Sequence, residues 1–447
     1  MIDNIAAIAT PFGTGGISVI RISGPNAITE FNKIFKGPNL TKVKTHTIHY
    51  GHVLNNEGDV LDEVMVAVFR EPKSFTTENV IEVSTHGGVL VTQSVLSEIL
   101  TLDIRMANPG EFTQRAYLNG RIDLVQAEAV MDLIEAQNES ALKIANLALD
   151  KKTSPLVQKL LDEVLDLIAK IEVNIDYPEY DDAVVMTNEI IKPVVIDLIN
   201  KMEHLIYRSN RTKIIKDGIN TAIIGRPNVG KSSLLNALLE EEKAIVTDIS
   251  GTTRDLIESR LNLSGITLNL IDTAGIRKTD DIVESIGVQR SIEIIEKAEL
   301  ILLVLDQSLK LTDEDKQLLE LTKDKKRILI GNKSDLSKQI ELDDLVLISS
   351  LHQIGLEQLE KEIIKKLSLT EIETKDFNYL SNERQILKIT EAKNSLNRVL
   401  ISIEDEMPVD LIAVDLASAY YSLADILGLS YESSIIEKLF SQFCLGK

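Results

Sequence analysis

At 447 residues the chain is long enough for two or three domains, since single domains cluster near about 100–150 residues. Its formal charge of −21 excludes a protein that holds nucleic acid by bulk electrostatics, so such a contact needs a local basic patch or a partner. The single cysteine, Cys444, excludes an intrachain disulfide.

The start Met1, Ile2, Asp3, Asn4 lacks the basic and then apolar pattern of a secretory signal. The longest apolar run, Leu300 to Leu305, is far shorter than the ~20 residues that span a bilayer. A cytoplasmic protein without membrane contact is expected, and no short-period repeat points to a solenoid.

From Met1 to Leu118 short β-rich runs (Ile17 to Ile22, Val64 to Phe69, Val80 to Val83) alternate with helical stretches such as Gly88 to Leu100, which reads as an α+β unit. Its glycine turns, Gly13 to Gly16, His86-Gly87-Gly88 and Asn108-Pro109-Gly110, read first as tight-turn chemistry. Residues 119–215 are helical: Leu156, Leu160, Val164, Ile168 and Ile171 recur at helical spacing, with Ser154 as N-cap and Pro155 in the first turn. Pro178 and the acidic cluster Glu179 to Asp182 break that helix. Helical periodicity returns over 375–447, where Leu411, Val414, Ala417, Tyr421 and Ala424 are expected to form the buried face.

Residues 216–374, between the helical blocks, alternate strand and helix. Two amphipathic blocks must bury their apolar faces, so the economical architecture is multidomain α/β: an α+β N-terminal domain, an all-α domain built from both flanks, and a Ras-like P-loop GTPase domain inserted into it. Separate helical domains before and after the insert are the alternative.

The run Thr221 to Ile224 ends in Gly225-Arg226-Pro227-Asn228-Val229-Gly230-Lys231-Ser232-Ser233, a P-loop. Gly225 and Gly230 permit the turn that wraps backbone N–H groups and a helix N-terminus around phosphates. Asn228, Val229, Gly230, Lys231, Ser232 and Ser233 form the cradle; Lys231 offers charge to the β- and γ-phosphates, and Ser232 a hydroxyl to Mg²⁺.

Four later elements name the base. The loop Thr247, Asp248, Ile249, Ser250, Gly251, Thr252, Thr253 is assigned to the nucleotide, with Thr253 as the second Mg²⁺ hydroxyl. Asp272-Thr273-Ala274-Gly275 places a metal-holding Asp and a γ-phosphate N–H at a strand end. In Asn332-Lys333-Ser334-Asp335 the Asp335 carboxylate accepts from guanine N1–H and the 2-amino group, a pair that adenine lacks. Ser349-Ser350-Leu351 supplies a backbone donor to guanine O6. This order resembles the translation-factor-like GTPases.

After Gly275 stands Ile276, which cannot orient water as the Ras-type glutamine does. Glu284 is the candidate for that task. Arg254, Arg277 or a monovalent cation could neutralise charge in the transition state.

The P-loop, the run Ala244 to Asp255, the N-terminal motifs and the closing Cys444-Leu445-Gly446-Lys447 together resemble, over essentially the full length, the bacterial tRNA-modification GTPases of the MnmE (TrmE) family. The resemblance implies a homodimer formed through a folate-binding N-terminal domain. It also implies an FAD-dependent partner, MnmG (GidA), joined in a heterotetramer or larger complex. The complex adds aminomethyl or carboxymethylaminomethyl groups to C5 of the wobble uridine of certain tRNAs, with 5-formyltetrahydrofolate or a related reduced folate as one-carbon donor. Matched by position, Asn228, Thr247, Ile249 and Thr252 would hold K⁺, and Glu284 would be the catalytic glutamate. Arg21, Glu82, Arg121 and Lys447 would contact folate, and Cys444 would take part in the modification chemistry. Arg121 stands where a lysine is familiar, and Ser350-Leu351 is a loose form of Ser-Ala-Lys. A ribosome-assembly GTPase is the alternative, but it would need a basic RNA-binding appendage that this chain does not display.

Overall fold

The computed structural model describes residues 3–136, 138–150, 153–176, 188–240, 259–263, 266–271, 293–367, 379–429, 439–441, 443 and 446. In chain order the first elements are β1 (Ile5–Ile8), β2 (Ile17–Ser23), α1 (Ala27–Phe31), β3 (Phe35–Lys36), β4 (Thr47–Leu54), β5 (Val60–Phe69), β6 (Val80–His86), α2 (Val89–Ile99), β7 (Arg105–Met106) and α3 (Glu111–Leu118). The seven strands form one sheet in the order β3-β4-β5-β6-β2-β1-β7, antiparallel except where β1 meets β7. Alternation decides its two faces. Val64, Val66 and Val68 of β5 join Ile20, Ile22, Ile81 and Val83 in a core closed by Phe31 of α1 and by Val95 and Ile99 of α2. The opposite face leaves Ile48, Tyr50 and Met65 exposed, with Tyr50 directly opposite Met65.

Helices follow: α4 (Leu124–Glu135), α5 (Glu139–Leu149), α6 (Ser154–Asp176) and α7 (Asn188–Asp217). Helix α6 opens at Ser154, one residue before the expectation, and buries Val157, Leu160, Leu161, Val164, Leu167 and Ile171.

Next come β8 (Ile219–Ile224), α8 (Lys231–Glu240), β9 (Ser259–Leu263), β10 (Ile266–Leu270), β11 (Leu300–Asp306), α9 (Asp313–Leu321), β12 (Arg327–Asn332), β13 (Leu345–Leu347) and α10 (Leu356–Lys366). Their sheet runs β13-β12-β11-β8-β10-β9, parallel except for the β9–β10 hairpin. A parallel sheet is covered on both sides, and so β11 is buried at every position. One face packs Ile223, Leu302 and Val304 against Leu234 and Leu238 of α8 and Leu359 and Ile363 of α10. The other packs Ile224, Leu303 and Leu305 against Leu318 of α9. From β8 the chain moves to β10 on one side and then to β11 on the other, which opens a crevice at the carboxyl ends of β8 and β11.

The chain closes with α11 (Glu383–Glu404) and α12 (Val409–Leu427). The expected buried face of α12 is corrected. Ile412, Leu416, Ala419, Leu423 and Ile426 are buried, whereas Leu411, Val414 and Tyr421 are exposed, Ala417 is half-buried and only Ala424 stays inside. Both stripes have helical spacing. The choice between them is made by α11: Arg398 donates to Asp415 at 2.8 Å and Ser395 meets Ser418 at 3.2 Å, which sets the rotation of α12.

The chain divides into two compact units, Met1–Met131 with Val157–Asn188 and Asn394–Lys447, and Asp132–Leu156 with Glu189–Lys393. Among the described residues no helix is long and apolar enough to cross a membrane.

Candidate functional site

The P-loop leaves β8 at its carboxyl end and enters α8 at Lys231. Two glycines are required there. Gly225 has φ +154° and a Cβ on it would run into the Val304 carbonyl; Gly230 has φ +99° and a Cβ on it would run into the Asn332 amide. Between them Val229 is fully buried, while Asn228 is exposed in the left-handed region at φ +62°. Asparagine tolerates that conformation better than most residues. The Lys231 ammonium donates to the Gly225 carbonyl at 2.6 Å and the Arg226 carbonyl at 2.9 Å, so it lies along the inner wall of its own loop. Burial pushes its pKa down, against the pull of the Glu314 carboxylate. Ser232 and Ser233 follow in the first turn of α8, where helix N–H groups lack helical partners.

The base loop is tied to the P-loop from the other side of the crevice. Asn332, at the end of β12, donates to the Val229 carbonyl at 2.8 Å, and its side-chain oxygen accepts from Ser350 N at 3.1 Å and Ser350 Oγ at 3.0 Å. Ser349 Oγ donates to Asp335 at 2.6 Å and thereby holds that carboxyl below its ordinary value, as a fixed acceptor. Leu351 is exposed beside them. The structure thus joins Asn228 to Ser233 with Asn332, Lys333, Asp335 and Ser349 to Leu351 at one end of one sheet.

Sequence reasoning missed two carboxylates here. Asp306, the last residue of β11, pairs with Lys333 at 2.6 Å. Asp315 forms a capping box with Thr312 at the start of α9 and lies 3.3 Å from the Arg226 Nε, without an aligned N–H, so this second contact is Coulombic. No motif spacing marks either residue. A signal for Asp306 was its place at the carboxyl end of an apolar strand, where α/β sheets build their sites.

Thr247, Asp248, Ile249, Ser250, Gly251, Thr252, Thr253, Arg254, Asp272, Thr273, Ala274, Gly275, Ile276, Arg277 and Glu284 lie outside the described residues. So do Cys444, Leu445 and Lys447.

A second cluster sits on the N-terminal sheet. Arg21 of β2 faces Glu82 of β6 across the register and donates to it at 2.9 Å. Its guanidinium carbon is 5.7 Å from the ring centres of both Phe75 and Phe112. Arg121 lies over the other available partner, Phe75, at 4.9 Å and donates to the Phe75 carbonyl at 3.0 Å. Arg21 also donates to the Gly446 carbonyl at 3.4 Å. The tail reaches it because Phe440 packs with Leu124 and Ala127 and its carbonyl is approached so closely by Gly110 that no Cβ fits there. Arg21, Glu82 and Arg121 are therefore gathered around Phe75, with the residue next to Lys447 in contact. Phe75 was not singled out by sequence.

Below this cluster Arg115 of α3 is almost fully buried between Glu111 at 3.0 Å, Glu78 at 3.2 Å and Asp3 at 2.9 Å. Burial pushes Glu111 up, and its bonds with Arg105, the Asn108 backbone and Arg115 more than reverse this, so the carboxyl titrates below its ordinary value. Such a paired cluster is a structural anchor for β6 and α3.

Two family models match the chain: the GTP-binding protein TrmE N-terminus over residues 4–121 and the MnmE helical domain over residues 124–444. The tRNA modification GTPase MnmE of Acholeplasma laidlawii is 60% identical over 100% of this chain and 99% of its own length. The protein of the same name from Streptococcus mutans is 51% identical over 100% of this chain and 99% of its own. Among solved structures, the G domain of the T. maritima FeoB iron transporter is 30% identical over 33% of this chain and 98% of that one, with a TM-score of 0.25. Assignment of the P-loop fold rests on the strand order and turn geometry instead.

Proposed function

The chain belongs to the MnmE family of tRNA modification GTPases, and from that premise we propose that it is a K⁺-dependent GTPase working with an FAD-dependent partner, MnmG (GidA), on the wobble uridine of certain tRNAs. The observation that carries the nucleotide half is the Asn332 side chain, which bonds both Val229 of the P-loop and Ser350 of the last loop. It supports a single frame in which phosphates and base are read together. In that frame Lys231 contacts the β- and γ-phosphates, Ser232 and Thr253 hold Mg²⁺, and Asp335 reads the guanine edge. Glu284 orients the attacking water in place of a glutamine.

Asn228, with Thr247, Ile249 and Thr252, would hold K⁺, which supplies positive charge beside the phosphates. The exposed, left-handed Asn228 supports this, because its side chain is directed by the loop and not consumed in the core.

The N-terminal cluster fits a reduced folate, which supplies the one-carbon unit. Two guanidinium groups and Glu82 around an aromatic ring match a ligand with an amide-bearing heterocycle and a carboxylate tail. Arg21, Glu82, Arg121 and Lys447 would hold it, with Cys444 nearby for the modification step. The exposed apolar face carrying Ile48, Tyr50 and Met65 supports a homodimer through this domain. The domains would be 1–118, a helical domain from 119–215 and 375–447, and the inserted GTPase domain 216–374.

Two measurements test the reading. GTP turnover compared in K⁺ and Na⁺ should fall in Na⁺; an unchanged rate sinks the cation role of Asn228. Removing residues 444–447 and analysing tRNA nucleosides by mass spectrometry should show the wobble modification lost. If it persists, the assignment of the tail fails while the GTPase reading stands.

A further inference from the structure

Lys333 is held at both of its ends by the strand next to its own. At the backbone, Gln307 N donates to the Asn332 carbonyl at 3.1 Å, and Gln307 Nε2 donates to the carbonyls of Lys333 and Leu336, each at 3.3 Å. These bonds bracket the loop in which Lys333 takes a left-handed φ of +64°. At the tip, the ammonium donates to Asp306 Oδ2 at 2.6 Å. The Asp306 carboxylate is 4% exposed, and its other oxygen accepts from Ser308 N at 3.0 Å and Ser308 Oγ at 2.6 Å. Its orientation is therefore set before it meets the lysine.

An ammonium bound in this way is not available to a phosphate or to a base edge. What remains is the four-carbon stem, stretched between a clamped backbone and a clamped tip, on a loop whose flanking residues are Asn332 and Asp335. A methylene stem with its charge sequestered is an apolar rail, and a planar base can lie on it. We infer that Asp306 is a positioning residue for nucleotide binding, which tethers Lys333 so that its stem forms a fixed floor for the purine face. The inference rests on the base-loop reading given above and deepens it. Asp335 reads which base is present; Asp306, acting through Lys333, sets how tightly any purine is held.

The two roles separate experimentally. Binding of fluorescent GDP, IDP and XDP to the full chain is measured for the parent, Asp306→Asn, Lys333→Met, Asp335→Asn and the double variants. Asp306→Asn keeps an oxygen for Ser308 but turns a donor toward the ammonium. It is expected to weaken GDP and IDP by the same factor, about tenfold for a coupled contact of this kind. Asp335→Asn is expected to move the preference to XDP, whose 2-oxo group accepts from the new amide. Asp306→Asn added to it should weaken XDP by the same factor again. In the Lys333→Met background Asp306→Asn should have no further effect, a result that a merely structural role would not give. Melting temperature without nucleotide registers any folding defect separately. An Asp306→Asn protein that binds GDP within twofold of the parent overturns the inference, as does a loss that persists undiminished beside Lys333→Met. If Asp335→Asn leaves the base preference unchanged, it is the base-loop reading that fails, and the inference falls with it.

Discussion

The side-chain amide of Asn332 donates to the carbonyl of Val229 at 2.8 Å, across 103 positions of sequence, and this one buried bond joins the base loop to the P-loop. Replacing Asn332 with Ala removes that donor and also the acceptor for Ser350 N and Oγ. Each buried group left unpaired costs about 1–3 kcal/mol. Chemical denaturation should therefore show a clear loss of stability, and GDP affinity should fall with it.

Gly230→Ala attacks the same joint from the other side. The residue has φ +99°, and a methyl group there meets the Asn332 amide. The backbone conformation alone costs about 1–2 kcal/mol for an L-residue, and the clash displaces the hub as well. Nucleotide affinity measured by fluorescence should drop at least tenfold, while Gly58→Ala, at an open surface turn with φ +86°, should leave it unchanged.

His86 offers a pH-dependent readout in the N-terminal domain. Its Nδ1 lies 2.6 Å from the buried Asp62 carboxylate, and that hydrogen bond raises its pKa above 6.5. The folded state binds the proton more tightly than the unfolded one, so the contribution to stability is full below the unfolded value. It is lost as pH rises through the folded value. An NMR titration should place the midpoint above 6.5, and Asp62→Asn should bring it back toward 6.5.

The Arg115 cluster has the opposite sign. Glu111 and Asp3 titrate below their ordinary values, so their contribution is present above the unfolded value and lost as pH falls through the folded one. Thermal melts should show the N-terminal unit weakening at acid pH, and Glu111→Gln should flatten that dependence. Arg115→Ala leaves buried carboxylates unpaired and should cost about 3–5 kcal/mol, read by urea denaturation.

Much of the nucleotide site was legible because its signals are local. Gly225 and Gly230 sit where the backbone needs conformations and clearances that other residues lack, and the motif spacing records that need directly. Asp335 and Ser349 are likewise short-range marks at strand ends. Asp306 was not legible, since its partner Lys333 is 27 positions away and only the pairing of β11 with β12 brings them together. Phe75 was missed for the same reason: its meaning comes from Arg21 and Arg121, which approach it from different elements.

Helix α12 shows the limit most plainly. Periodicity required an amphipathic helix, and the helix is there, but the stripe of Leu411, Val414 and Tyr421 lies outside and that of Ile412, Leu416 and Leu423 inside. Hydrophobic spacing determines that a helix has a buried face; in a segment apolar on several sides it does not determine which. By itself the sequence determined the turn chemistry, the motifs and the strand and helix types, because these depend on neighbours within a few residues. Only the tertiary structure decided the rotation of α12, the tether of Lys333 and the gathering around Phe75, because each depends on contacts between residues that the chain keeps far apart.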